Sequence, residues 1–264
     1  MMRHGQQARY RRWRMMIVLV FVLPAMASGD QLEIRLDGDF PALRQNVKAF
    51  LGEVEDRNAD RLRRFADQST PEVERALRAL GYYQPDIDWS ISQPGDQDAP
   101  AQLMLSVVPG EPVRIRSRTV TIRGPASDDG EFNLDLPSRP AVGDVLHHGQ
   151  YNSLRQTIQN AASRLGYFNG QFEVRRLAVN PEEKAADITL VYESGQRFRL
   201  GEVRFSDGHG FDPSLLDRFV SFEPGSYYHS RKITKLNSDL ANSGYFASVD
   251  VDASPTSADN GTIP

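Results

Sequence analysis

The chain has 264 residues, 39% of them hydrophobic, 25% charged and 9% aromatic, with 16 Pro, 20 Gly and no Cys. This is ordinary globular composition, which excludes wholesale disorder and collagen-like repeats, and a mean hydropathy of −0.49 excludes a polytopic helical membrane protein. The formal charge of −4 is unevenly placed: the first 29 residues hold five Arg (Arg3, Arg9, Arg11, Arg12, Arg14) and no acid, so the rest is acidic and a poor non-specific partner for nucleic acid.

Behind that basic start, residues 15–23 are uninterrupted apolar, and Pro24 and Ala25-Met26-Ala27 precede Ser28. This is the three-part pattern of a secretory signal, expected over 1–27. A retained anchor is the alternative, but the run is short against the roughly 20 residues a spanning helix needs. Without Cys the exported body has no disulfides, and its domains rest on their cores alone.

The first predicted strand is Leu32–Leu36, followed by a helix carrying Leu43, Val47, Phe50 and Val54 on one face. A second helix is expected to start at Thr70 as N-cap with Pro71 at its first position and to stop at Gly81. Alternation of Ile87, Trp89 and Ile91 with Asp86, Asp88 and Ser90 predicts a half-buried strand, and Leu103, Leu105 and Val107 predict another, closing at Pro109-Gly110. The pattern then recurs. Val120 to Ile122 opens a second unit, and Phe132, Leu134 and Leu136 mark a short apolar segment. A helix through Ile158 and Ala162 stops at Gly166. Strands follow at Phe172 and Val174 and at Ile188, Leu190 and Tyr192, before Ser194-Gly195. In the third, Val203 to Phe205 is the expected strand, Leu215, Leu216 and Phe219 a first helix, Leu236 and Leu240 a second ending at Gly244, and Val249 and Val251 a strand.

The stop glycines Gly81, Gly166 and Gly244 lie 85 and 78 residues apart, and the closing glycines Gly110 and Gly195 each fall 29 residues after their stop. The fold class is therefore α+β, a tandem array of three β-α-α-β-β units over 28–112, 113–197 and 198–264. The third is read as incomplete, because its closing Gly is due beyond Pro264. Each stop is followed by two aromatics: Gly81-Tyr82-Tyr83, Gly166-Tyr167-Phe168 and Gly244-Tyr245-Phe246. Gly suits the left-handed position after a helix, and the next residue can pack back on the last turn, pairing Leu77 with Tyr82 and Leu240 with Tyr245. All six aromatics are expected in cores.

An array of this kind behind a signal peptide, with its Gly-Tyr-[Tyr/Phe] triplets, resembles the POTRA domains of the BamA/Omp85 family of outer-membrane assembly proteins. Ala79-Leu-Gly-Tyr-Tyr-Gln-Pro85, Arg139-Pro-Ala-Val-Gly143 with Leu146, Gly149 and Tyr151, and Leu165-Gly-Tyr-Phe168 resemble the TamA branch. The resemblance implies a Gram-negative outer-membrane protein whose C-terminal β-barrel is absent from this chain. It implies an arm that reaches through the periplasm to a TamB-like partner anchored in the inner membrane, and help in inserting β-barrel proteins such as autotransporters. In the family the second strand of a unit offers a free edge to partners, which here points to Asp86, Ile87, Asp88, Trp89, Ser90 and Ile91. A two-partner-secretion transporter arm and an FtsQ-like division scaffold are the alternatives.

No P-loop, G-x-G-x-x-G or G-x-S-x-G is present, and no His-x₃-His pairing suggests a metal, so neither enzyme activity nor a cofactor is expected. His147 and His148 are adjacent and poor co-ligands, His209 sits at a loop tip, and His229 precedes a helix. Glu182-Glu183 and Asp128-Asp129 read as solvated turns. Arg57, Arg61, Arg63 and Arg64 form a basic cluster expected between the two helices of unit one, able to meet anionic head groups or an acidic segment.

Overall fold

A computed structural model of the chain describes residues 30–55, 57–92, 100–134, 136–206 and 210–264. The expected signal over 1–27 and the loop-tip His209 lie outside them. The first sheet is built from β1 (Leu32–Leu36), β2 (Asp86–Ser92) and β3 (Gln102–Val108) in the order β1-β3-β2. β3 pairs parallel with β1 and antiparallel with β2, placing Trp89 opposite Leu105. Helices α1 (Pro41–Leu51) and α2 (Ala59–Ala79) cover one face. Leu43, Val47, Val54, Leu62, Val73, Leu77, Leu103 and Leu105 form the core between them.

The second helix of this unit is longer than its caps suggest. Thr70 and Pro71 lie inside α2, and the N-cap is Asn58, whose side chain accepts the Arg61 N–H at 3.0 Å. Pro71 removes one intrahelical bond, but the buried stripe Leu62, Ala66, Ser69, Val73, Ala76, Leu77 runs unbroken past it. Burial of that stripe outweighs the lost bond. The Thr70 hydroxyl instead donates to Ala66 C=O and accepts the Trp89 Nε1–H at 3.0 Å. Arg61, Arg63 and Arg64 therefore lie on α2, with Arg57 just before it, rather than between two helices. Phe50 is exposed on α1.

The second unit repeats the plan. β4 (Arg114–Arg123), β5 (Gln171–Asn180) and β6 (Ala185–Glu193) form a sheet in the order β4-β6-β5. α3 (Gly130–Leu134) is one short helix, and α4 (His148–Leu165) packs Leu154, Ile158, Ala162 and Leu165 on the sheet. β4 starts well before Val120, and both outer strands carry a bulge, between Ile115 and Ser117 and between Phe172 and Val174.

The third unit has α5 (Pro213–Leu216) followed by a 3-10 turn, and α6 (Ser230–Asn242). Its sheet is a parallel pair, β7 (Arg199–Leu200) and β8 (Thr262–Ile263). Val203 to Phe205 and Val249 to Val251, expected as strands, form none. In the first two units both outer strands pair with the central strand and not with each other. Here the central strand is two residues long, so the flanking segments have nothing to bond to. They border an apolar groove of about 360 Å³ with Leu236 and Leu240 at its base.

Candidate functional site

The six residues Asp86, Ile87, Asp88, Trp89, Ser90 and Ile91 fall on β2, which lies at the edge of the first sheet. Burial alternates residue by residue: Ile87, Trp89 and Ile91 are half-buried, and Asp86, Asp88 and Ser90 are exposed. β2 keeps continuous register with β3 over all seven residues, from Asp86 opposite Val108 to Ser92 opposite Gln102. Both outer strands of the second sheet are interrupted by bulges, which twist an edge and discourage pairing. β2 is thus an unbulged edge whose exposed side chains are short or acidic.

The Gly-Tyr-aromatic triplets do a second job that their repeat pattern does not reveal. At the first, Tyr82 N–H donates to Leu77 C=O at 3.1 Å and Gly81 N–H to Arg78 C=O at 3.0 Å, with Gly81 at φ 93°. The second makes the same pair of bonds, Tyr167 to Ala162 and Gly166 to Ser163, with Gly166 at φ 85°. Both are Schellman stops, as expected. The first aromatic belongs to its own unit: Tyr82 packs in the first core and Tyr167 in the second. The second aromatic enters the next unit. Tyr83 packs against the second core, and Phe168 meets Phe198 and Tyr228 of the third at 5.4 and 4.9 Å between ring centres.

Each stop glycine also carries the backbone of that joint. Gly81 C=O accepts Val113 N–H, and Gly166 C=O accepts Phe198 N–H, both at 2.8 Å. Val113 C=O then accepts Leu146 N–H, and Phe198 C=O accepts Tyr228 N–H, both at 2.9 Å. A side chain on Gly81 would strike the Leu146 carbonyl, and one on Gly166 would come within 2.7 Å of Tyr228 Cβ. The third triplet departs from this pattern. α6 ends at Asn242, Gly244 has φ 75° with open space around it, and Tyr245 is 49% exposed, lying against Phe211 and Phe219. Tyr245 is thus not core: its N–H donates to the Ser243 hydroxyl at 3.2 Å rather than back to the last turn of α6, so the Schellman turn that seats Tyr82 and Tyr167 is not formed here.

The joint between the second and third units holds a polar network that sequence reading missed. Asp129, expected as a solvated turn, is 12% exposed and accepts hydrogen bonds from Arg197 Nη1 at 2.8 Å and the Tyr167 hydroxyl at 3.0 Å. Arg197 also donates to Leu165 C=O at 2.8 Å and to Tyr228 C=O at 3.3 Å, tying the end of α4 to the third unit. Burial and the Asp129 carboxylate push the Tyr167 phenol up to about 12. Glu131 Oε1 contacts Arg164, His229 and Arg231 at 2.9, 2.9 and 3.0 Å. The His229 hydrogen bond is the largest influence holding its carboxyl below the usual range.

The joint between the first and second units is simpler: Tyr83 Oη and His148 Nε2 are 2.6 Å apart. Burial holds the His148 imidazole below its ordinary pKa, with His147 and Arg78 adding to the effect. His147 and His229 play equivalent parts, each capping its helix through Nδ1 and the N–H two residues on. The readable signal is Gly143 to His147 repeated as Gly225 to His229, a glycine four residues before each capping histidine.

Two three-stranded α+β units and a smaller third, joined through their helix stops, define a tandem α+β repeat, and the chain carries POTRA domains. Residues 33–109 match the family model described as POTRA domain, TamA domain 1, and residues 198–263 match the model described as POTRA, surface antigen variable number repeat. Among solved structures, POTRA domains 3–5 of BamA from Haemophilus influenzae are 16% identical, covering 92% of this chain and 96% of that one, with a TM-score of 0.46. The N-terminal domain of Omp85 from Thermosynechococcus elongatus is 18% identical over 88% and 92%, with a TM-score of 0.32. POTRA domains 1–3 of Omp85 from Anabaena are 15% identical over 89% and 91%, with a TM-score of 0.30. Among the described residues no helix is long and apolar enough to cross a membrane.

Proposed function

We propose that this chain is the periplasmic POTRA arm of an outer-membrane assembly factor of the TamA type. In this reading it docks a TamB-like partner anchored in the inner membrane and assists insertion of β-barrel proteins such as autotransporters. Its work is binding, with no catalytic step, cofactor or nucleic acid. The observation that carries the reading is β2, an unbulged edge in the unit that matches the first POTRA domain of TamA. An extended partner segment can add to such an edge through backbone hydrogen bonds, which need no particular sequence.

The test is photo-crosslinking in Gram-negative cells from Asp88 and Ser90, on the exposed side of β2, with the same probe at Glu173 on the bulged edge β5 as control. Crosslinks to an inner-membrane-anchored protein from β2 and not from β5 are the expected result. Equal crosslinking from both edges, or none from β2, would remove the edge from the account.

A further inference from the structure

We propose that a hollow on the first unit is a binding site for a phosphate-bearing anion. The hollow measures about 360 Å³ and is lined by Arg57, Arg61, Arg64, Phe65, Gln68 and Glu55. Arg61, Arg64 and Gln68 recur every three or four residues along α2 and so share one face of the helix. Arg57 precedes the helix, and its backbone is fixed from below. The buried Gln31 side chain accepts the Arg57 N–H at 2.9 Å and donates to the Arg57 C=O at 3.1 Å. The Arg57 guanidinium carbon lies 4.5 Å above the centre of the Phe65 ring, which helps to position the side chain beside the hollow.

Among the described residues neither Arg57, Arg61 nor Arg64 forms an ion pair, whereas Arg63, Arg75 and Arg78 of the same helix are engaged by Asp60, Glu72 and Glu74. Three guanidiniums facing one hollow, in a chain of net negative charge, mark a local reversal of potential. Glu55 is the single described carboxylate on the lining. Phosphate fits this arrangement better than an acidic peptide. A tetrahedral group offers oxygens in several directions and can accept from forks converging on one point. A peptide needs its cations spread along a line.

The test uses the full chain. Pyrophosphate is titrated by calorimetry, and binding to phosphatidylcholine vesicles is measured with and without phosphatidylglycerol. Arg57→Gln, Arg61→Gln and Arg64→Gln should each weaken binding about ten-fold, Arg63→Gln should leave it unchanged, and Glu55→Gln should tighten it. Glu55, Arg61, Arg63 and Arg64 are exposed and Arg57 is half-buried, and circular dichroism checks the fold of each variant. Vesicle binding that needs the anionic lipid and is displaced by pyrophosphate supports the site with a lipid headgroup as source. Pyrophosphate binding alone supports it with a soluble phosphate. Binding of neither probe, a loss in Arg63→Gln equal to that in Arg64→Gln, or equally tight binding of an oligoglutamate peptide would overturn it.

Discussion

Gly81 and Gly166 are held by two separate constraints, a left-handed backbone and a neighbour from the next unit where a side chain would be. Gly81→Ala should therefore cost about 1–2 kcal/mol from the backbone alone, and the clash with Leu146 should loosen the joint. Thermal melting reads the first effect and amide exchange at 145–148 the second; an unchanged melt and unchanged exchange would refute the assignment. Asp129 is the other position where one residue carries much. Asp129→Ala leaves Arg197 Nη1 and the Tyr167 hydroxyl without the carboxylate they share, for a loss of about 1–3 kcal/mol in denaturant unfolding. The neutral phenol is the form the fold favours, so its stabilisation is present below the ordinary tyrosine pKa and is lost as pH rises through about 12. Asp129→Asn should bring the ultraviolet titration of Tyr167 back toward the ordinary tyrosine range, and a titration that does not move would separate the two groups.

At the scale of elements, β2 is set by alternation that the sequence displays openly, and its edge position follows from the strand order. Ile91→Pro removes one backbone donor and should abolish partner binding while circular dichroism remains that of a folded chain. Partner binding that survives in a folded variant would contradict the edge mechanism. The elements that sequence misplaces have definite causes. Thr70 and Pro71 carry a strong local start signal, but the apolar stripe of α2 overrides it. Val203 to Phe205 and Val249 to Val251 alternate as strands do, yet a strand exists only where a neighbour completes its hydrogen bonds. The fold class and the first two units are legible because their apolar periodicities are local. The joints are not, because Tyr83 meets His148 and Asp129 meets Arg197 across 65 and 68 residues of chain. Only the paired Gly143-to-His147 and Gly225-to-His229 spacing hints at them.

For the whole molecule, the two joints share a backbone plan but differ in polar content. Arg197 has no counterpart at the first joint, where the equivalent position 85 residues earlier is Pro112. The second joint should be stiffer, which spin-label distances across each joint would show as a narrower distribution between units two and three; equal widths would contradict it. Acid should loosen the first joint before the second. The folded pKa of His148 lies below its unfolded value, so its contribution is present above the ordinary imidazole range and is lost as pH falls through the folded value. The depressed Glu131 carboxyl follows the same sign, but only below the ordinary carboxylate range.

The most direct measurement is residue-resolved amide hydrogen exchange on the chain alone and with a TamB-like protein, the partner proposed above. Alternate amides of β2 face away from β3 and are open to water in the free chain. The account predicts that the partner protects those amides across Asp86–Ser92 and leaves β5 unchanged. Protection confined to other elements, with β2 exchanging as before, would contradict it.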